Sequence, residues 1–137
     1  MGHAVVHFEI VGRDGEGLQG FYSELFGWET TDVGANTAYG LVAREGNTNA
    51  EGIGIGGAIS SVPEQPSSTW RGPHRAEGYE GHVTIYVEVP DVESALAQAE
   101  TLGGTRMLGP DQIPGGPEIG AFSDPEGHMI GLVGAPA

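Results

Sequence analysis

The chain contains one residue pattern twice, and this internal repeat constrains its fold more than any other feature. The first copy runs from Val5 to Trp28 and the second from Gly81 to Gly104. Each copy begins with alternating apolar and polar residues, typical of a strand with one buried face, and continues into an apolar pattern of helical period. We therefore expect a duplicated fold whose unit starts with a strand followed by a helix.

The opening strand of each copy separates apolar from polar side chains. His7 and Glu9 alternate with apolar residues in the first strand. In the second strand the polar set is His82, Thr84, Tyr86 and Glu88. Because successive side chains of a strand point to opposite sides, one face is predicted to be core and the other to carry the chemistry.

Both predicted helices have recognisable ends. The first is expected from about Asp14 to Phe26, with Gly27 as its C-cap. The second is expected after Asp91, a typical N-cap, and ends at Gly103-Gly104.

Further strand-like segments follow each helix, so each half is predicted to be a β-α-β-β-β unit. These strands are expected at Thr37–Val42, Gly52–Ser60, Thr105–Leu108, Glu118–Ser123 and Met129–Val133, with residues 110–117 as a loop. We expect an α+β fold with a single domain over residues 1–137. Its modules cover about residues 4–60 and 81–135, joined by a proline-containing connection at about 61–80 in which Trp70 is a candidate to close over a pocket.

Composition excludes some classes of function. There are 19 acidic and 5 basic residues, giving a formal charge of −14, so nucleic acid would meet a repulsive field and is not an expected partner. The sequence contains no cysteine and no apolar run of membrane-spanning length, and we expect no export signal from its first residues. We therefore expect an acidic cytoplasmic protein without a membrane partner.

Four segments resemble the vicinal oxygen chelate superfamily, which includes glyoxalase I, extradiol dioxygenases and the bleomycin and fosfomycin resistance proteins. They are FYSELFGWE, GIGIGGAI, GHVTIYVEVPDVESALAQAETLGG and FSDPEGHMIGLV. The resemblance implies two βαβββ modules forming a curved mixed-sheet cup with helices outside, and a homodimer. In metal-bearing members, one divalent cation is held by a His or Gln on the first strand and a Glu on the last strand of each module.

Carried over to this chain, the first-strand ligands fall on His7 and His82 and the last-strand acids on Gly56 and Gly131. Neither glycine is an acid, and two imidazoles alone are a weak cation site. No cofactor is therefore favoured. If a divalent metal such as Zn, Ni, Fe or Mn binds, His7 and His82 are its expected ligands, with a third from Glu9, His74 or His128.

Glycine in place of two acids is expected to open space for an organic ligand in the cup. His7 and Glu9 are the candidate catalytic residues, as a general base or proton relay. The candidate ligand-binding residues are His82, Thr84, Tyr86, Gly56, Gly131 and Trp70. The leading hypothesis is a glyoxalase-like or bleomycin-resistance-like protein that binds or transforms a small organic molecule, without the usual four-ligand metal.

Two other hypotheses stay open at this point. One is a divalent-metal-dependent lyase, isomerase or dioxygenase that uses His7 and His82 as ligands. The other is a structural or subunit-interaction role with an unused cup. The sequence does not decide whether the protein is an enzyme.

Overall fold

The computed structural model describes residues 2–33, 38–73 and 81–136. The first repeat contains β1 (Val5–Gly12), α1 (Gly15–Phe26), β2 (Thr30–Asp32), β3 (Gly40–Val42) and β4 (Gly56–Ser61). The second contains β5 (His82–Val89), α2 (Val92–Thr101), β6 (Thr105–Gln112), β7 (Glu118–Ser123) and β8 (Met129–Gly134). The predicted α+β class and the βαβββ order of each repeat are confirmed. Neither α1 nor α2 is long and apolar enough to cross a membrane.

The chain divides into two compact units. The N-terminal unit comprises His7–Gln65 and His74–Val83, and the C-terminal unit comprises Met1–Val6, Pro66–Pro73 and Thr84–Ala137. The single domain expected for residues 1–137 stays a prediction.

In the N-terminal unit the strand order is β2-β3-β4-β1, with β1 and β4 parallel and the remaining pairs antiparallel. Phe8 lies opposite Gly57 in the β1–β4 register, and its ring packs 5.2 Å from that of Trp28, measured between centroids. A Cβ on Gly57 would come 2.3 Å from the Phe8 ring, so the absence of a side chain there is what admits the ring. Phe8 thus occupies the aromatic side of β1, and its neighbours His7 and Glu9 point the other way.

Helix α1 begins and ends as its sequence predicts. The Asp14 side chain accepts a hydrogen bond of 3.0 Å from the Gly17 amide, which satisfies one of the free donors of the first turn. Gly27 adopts φ 75° at the C-cap, a left-handed conformation that glycine enters without steric cost. Gln19 connects the helix to the sheet, because its amide donates to the carbonyls of Ala38 and Ile59.

In the C-terminal unit the strand order is β5-β8-β7-β6, and β5 runs parallel to β8. The core joins α2 to one sheet face through buried apolar residues: Val89, Val92, Leu96 and Leu132. Asp91 caps α2 by accepting a hydrogen bond of 3.1 Å from the Ser94 amide.

Residues 66–73 attach to β6 in the same unit. The Arg71 amide donates to the Met107 carbonyl at 2.9 Å. The hydroxyls of Ser67 and Thr69 both donate to the Asp111 carboxylate. This part of the predicted connection is therefore fixed by specific polar contacts.

Three strand predictions need correction. Strand β2 was missed because it has only three residues, two threonines and an aspartate, with no apolar alternation. Strand β6 continues through Pro110 to Gln112, where a loop was predicted. Proline is tolerated there because β6 ends the strand order of its unit, and an edge strand does not need every amide as a donor.

The third correction concerns β4, which begins at Gly56 and not at Gly52. Residues 44–54 form a loop held by the Arg44 guanidinium, which donates to the carbonyls of Gly52 and Gly54. Strand β3 is confirmed from Gly40, whereas the predicted start at Thr37 lies outside the described residues.

Candidate functional site

Two of the predicted site residues, His7 and Glu9, meet at a third residue that the sequence analysis missed. The Tyr39 hydroxyl donates a hydrogen bond of 3.0 Å to Glu9 Oε2. His7 Nε2 lies 3.4 Å from the same hydroxyl oxygen. Tyr39 therefore links a histidine to a carboxylate on the polar face of β1.

The topology of the N-terminal unit explains how Tyr39 reaches β1. Tyr39 immediately precedes β3, which pairs with β4, and β4 pairs with β1. The contact spans 30 residues in the chain. No periodic pattern marks it, since its partner is fixed by strand order alone.

The electrostatics of the group keep Tyr39 protonated. Burial raises the pKa of Tyr39, and the negative charge of Glu9 and the hydrogen bond to it raise the pKa further. Burial lowers the pKa of His7 from its ordinary value of 6.5, because the charged imidazolium is less well solvated there. At neutral pH the group thus contains a neutral imidazole and a phenol that acts as a donor.

The hydrogen bonds of the Tyr39 hydroxyl determine the tautomer of His7. Tyr39 has one hydroxyl proton, and Glu9 Oε2 accepts it. A hydrogen bond between the phenol oxygen and His7 Nε2 then requires that Nε2 carry the proton. In that tautomer the lone pair of the ring is on Nδ1.

Comparison of the two repeats shows that His7 and His82 do not occupy equivalent positions. Strands β1 and β5 both have eight residues, and each ends three residues before the first residue of its helix. His7 is the third residue of β1, and the third residue of β5 is Thr84; His82 is the first, and its counterpart is Val5. The two histidines therefore differ by two places along their strands, and their shared role as metal ligands stays a prediction.

Gly56 and Gly131, the two glycines on the last strands of the repeats, also occupy positions that differ by two residues. Gly131 pairs with Tyr86, the fifth residue of β5, whereas Gly56 pairs with His7, the third residue of β1. The fifth residue of β1 is Glu9, and it pairs with Ala58. Ala58, which is fully buried, is thus the counterpart of Gly131.

Neither glycine opens the space that the sequence analysis expects. A Cβ on Gly131 would come 2.5 Å from Tyr86 Cδ2, so the tyrosine ring fills that place. A Cβ on Gly56 would come 2.9 Å from the Val42 carbonyl oxygen. A contact between a ligand and either backbone stays a prediction.

His82 lies in the wall of a cleft of about 1000 Å³ at the start of α1. Its lining combines apolar residues of β1 and α1 with glycines and the charged side chains of Arg13 and Asp14. His7 and Glu9 are not among the described residues that line this cleft.

The remaining candidates, Thr84, Tyr86 and Trp70, belong to the C-terminal unit. Thr84 is buried, and Tyr86 covers Gly131. The Trp70 indole donates to the Pro73 carbonyl at 3.0 Å, and its ring and the Met107 side chain both lie beside Gly72. Their roles in ligand binding stay predictions, as does the common cup.

The repeat and its polar strand face define a class of protein: two βαβββ units, with ionisable side chains on the sheet face away from the helix. The family model for the glyoxalase-like domain matches residues 7–133. The chain therefore belongs to the glyoxalase-like domain family, and the predicted membership of the vicinal oxygen chelate superfamily is confirmed.

Solved structures share this fold. A Streptomyces coelicolor methylmalonyl-CoA epimerase variant in complex with 2-nitronate-propionyl-CoA is 22% identical, with a TM-score of 0.67 over 98% of this chain and 99% of that chain. The Mycobacterium tuberculosis methylmalonyl-CoA epimerase is 18% identical, with a TM-score of 0.61 over 96% and 88%. A Legionella pneumophila protein described as an NAD-dependent benzaldehyde dehydrogenase is 11% identical, with a TM-score of 0.60 over 95% and 98%. No curated protein matches the chain by sequence.

The residues at the superfamily's metal positions do not fit its four-ligand site. Aligned on their strands, the repeats place Thr84 at the position of His7 and Ala58 at the position of Gly131. Only His7 offers a common metal-binding group, since neither a threonine hydroxyl nor an aliphatic residue replaces a carboxylate. Within residues 2–33, 38–73 and 81–136, no three His, Asp or Glu side chains cluster as a metal site would require.

Proposed function

We propose that this protein binds a small organic molecule and moves a proton on one of its carbon atoms, as an epimerase or isomerase does. The observation that carries the proposal is the position of the Tyr39 hydroxyl, 3.0 Å from Glu9 Oε2 and 3.4 Å from His7 Nε2. A base linked to a carboxylate through a phenol is suited to general acid–base catalysis.

The proposed step begins with His7 as the base. The substrate C–H bond breaks, its electron pair stays on carbon, and the proton forms a new N–H bond on the His7 imidazole. Glu9 stabilises the resulting imidazolium through Tyr39, because the phenol donates to the carboxylate and accepts from Nε2–H. If the planar carbanion then turns its opposite face to His7, return of the proton to the same carbon gives epimerisation, and delivery of the proton to another carbon gives isomerisation.

The chemistry of the base restricts the substrate. A neutral imidazole removes a proton only from a carbon whose negative charge is delocalised, so the carbon must be next to a carbonyl, thioester or similar group. The S. coelicolor and M. tuberculosis neighbours are methylmalonyl-CoA epimerases, and methylmalonyl-CoA carries such a carbon beside a thioester. It is therefore the first substrate to test.

The decisive experiment measures exchange of carbon-bound hydrogen with solvent. The protein is incubated in D₂O with methylmalonyl-CoA and a panel of 2-substituted thioesters and ketones, and deuterium uptake is followed by NMR. We expect exchange by the wild-type protein and a loss of at least about 100-fold in H7Q and E9Q, in the range that general acid–base groups contribute. Y39F is expected to exchange at a rate between that of the wild type and those of H7Q and E9Q, because it keeps the ring but removes the hydroxyl that links His7 to Glu9.

The matched control is H3Q, since His3 is exposed and has no assigned role. H3Q should exchange at the wild-type rate. Exchange that survives H7Q unchanged would contradict the assignment of the base. A wild-type protein that binds the probes but exchanges none would instead favour a binding protein of the bleomycin-resistance kind.

The alternative function, a divalent-metal-dependent lyase, isomerase or dioxygenase, is tested separately. Metal content is measured on protein purified without chelator, and activity is compared before and after dialysis against EDTA. A stoichiometric divalent ion that is lost in H7Q would support the alternative against our proposal. Retention of exchange after EDTA treatment supports proton transfer by the protein's own groups.

A further inference from the structure

Ala38, the residue before Tyr39, has a strained backbone. Its φ is 48°, in the left-handed region that residues with a Cβ rarely adopt. Such a conformation costs free energy and persists only where the surrounding contacts determine it. The contact that maintains it therefore also fixes the backbone that leads into Tyr39.

Gln19 of α1 supplies that contact. Its side-chain amide donates one hydrogen bond to the Ala38 carbonyl and a second, of 3.0 Å, to the Ile59 carbonyl of β4. Its Oε1 accepts a hydrogen bond of 3.3 Å from the Thr30 hydroxyl of β2. The side chain thus donates twice and accepts once, a combination that requires a primary amide.

Gln19 also packs against Gly40, the residue after Tyr39. A Cβ on Gly40 would come 2.7 Å from Gln19 Cδ, so the glutamine side chain fills that place. Both peptide groups that flank Tyr39 are held: Gln19 binds the carbonyl of the first, and the Val33 amide donates to the carbonyl of the second at 2.9 Å. Because these two peptide planes determine the direction of the Cα–Cβ bond, they set where the Tyr39 ring begins.

That direction matters because the hydroxyl is the atom of Tyr39 farthest from the backbone. It lies 3.0 Å from Glu9 Oε2 and 3.4 Å from His7 Nε2, and a small rotation of the backbone would lengthen both contacts. A misplacement of about 1 Å can cost a catalytic arrangement about 100-fold in rate.

We propose that Gln19 is a positioning residue: its side-chain amide fixes the backbone that carries Tyr39, so that the Tyr39 hydroxyl stays between the imidazole and the carboxylate of the proposed site. The inference deepens the proposed function and rests on it for the catalytic meaning of that hydroxyl. Gln19 acts on the reaction only through Tyr39, so its loss should lower kcat and leave KM nearly unchanged.

The first test does not depend on activity. Tyrosines are labelled with ¹³C at Cζ, the Tyr39 signal is identified by its loss in Y39F, and its ionisation is followed by NMR. Burial and the neighbouring Glu9 hold the pKa of Tyr39 above its ordinary value of 10.0, so the wild-type phenol should stay neutral at about pH 10.5. In Q19M, which keeps the length of the side chain but cannot donate, the phenol should turn toward solvent and ionise closer to pH 10.

The second test is the deuterium-exchange assay with methylmalonyl-CoA. Q19M should lower kcat about as much as Y39F does, and the double variant Q19M/Y39F should be no slower than Y39F. The matched control in both tests is Q98M, since Gln98 is an exposed glutamine of α2 with no assigned role. It should behave as the wild type.

Each test can overturn the proposal. Identical titration of Tyr39 in Q19M and the wild type would show that the phenol keeps its place without Gln19. If Q19M slows Y39F by the same factor as it slows the wild type, Gln19 acts elsewhere. If the wild type exchanges nothing, the proton-transfer function fails, and the NMR titration alone decides the role of Gln19.

A second variant covers the case in which Q19M does not fold by circular dichroism. T30V removes the hydroxyl that binds Gln19 Oε1 and leaves the glutamine in place. It should shift the titration of Tyr39 in the same direction by a smaller amount. An unshifted titration in T30V then counts against the proposal.

Discussion

The ring of Tyr86 lies over Gly131, its register partner on β8. A Cβ at position 131 would come 2.5 Å from Tyr86 Cδ2, far inside normal carbon–carbon contact. We predict that G131A lowers the free energy of unfolding by about 1–3 kcal/mol, the usual cost of overpacking. Urea denaturation monitored by circular dichroism measures this difference in the free energy of unfolding.

A double-mutant cycle identifies the cause of that loss. In a Y86A background the ring is absent, and G131A should cost less than about 0.5 kcal/mol. An equal cost of G131A in both backgrounds would mean that the backbone at position 131, and not the ring, requires glycine.

Gly20 offers the opposite case. It lies inside α1, and a Cβ there would meet no atom within 4 Å. Because alanine has a higher helix propensity than glycine, G20A is expected to raise the free energy of unfolding by about 0.5–1 kcal/mol. The comparison variant is G17A, whose Cβ would come 2.3 Å from Asp14 Oδ2, the oxygen beside the one that caps the helix. G17A should be destabilising, and a gain of stability in both variants would contradict the account of the cap.

The lowered pKa of His7 predicts a dependence of stability on pH. The folded protein binds a proton at His7 less readily than the unfolded chain, whose histidine keeps its ordinary pKa of 6.5. The stability that depends on neutral His7 is therefore complete above about pH 6.5 and is lost as the pH falls through the folded pKa. We expect the wild type to lose more stability than H7Q between about pH 7.5 and pH 5.5.

The measurement is urea unfolding of both proteins across that range. Other titrating groups contribute to both proteins and cancel in the difference. If the free energy of unfolding changes with pH equally in the wild type and H7Q, His7 is as well solvated in the folded protein as in the unfolded chain.

Asp111 is predicted to hold residues 66–73 on β6. Its carboxylate accepts hydrogen bonds from Ser67 and Thr69, and the Thr69 hydroxyl also accepts one from the Gly109 amide. We expect D111A to release this segment and to expose Trp70 further. In a W28F background Trp70 is the remaining tryptophan, so its fluorescence emission should shift to longer wavelength in D111A.

The matched control for this prediction is D124A, because Asp124 belongs to an exposed turn. It should leave the emission maximum unchanged. An emission maximum that does not move in D111A would show that backbone contacts such as Arg71 to Met107 suffice to hold the segment.

The repeat itself was predictable because its signals are local. Alternation over eight residues defines β1 and β5, and aspartate and glycine residues define the ends of the helices. The equivalence of His7 with Thr84 was also available from the sequence. His7 is seven residues before the N-cap Asp14, and Thr84 is seven residues before the N-cap Asp91. The equivalence follows from the equal distance of His7 and Thr84 from their N-caps, whereas matching histidine to histidine misses it.

Other features depend on tertiary structure and carry no local signal. Tyr39 reaches Glu9 only because β3 and β4 place it beside β1. Strand β2 is too short and too polar to be recognised, and it forms by pairing with β3. The filling of the space over Gly131 by Tyr86 follows from the β5–β8 register, which no single strand specifies.

Strand β6, at the end of the strand order of the C-terminal unit, has a consequence for aggregation. An exposed edge strand presents a row of amide and carbonyl groups that another chain can extend. On β6 that row is interrupted: Pro110 has no N–H to offer, and the Met107 carbonyl is already bonded to Arg71. These interruptions discourage strand addition, so this side of the protein is poorly suited to seed amyloid-like growth.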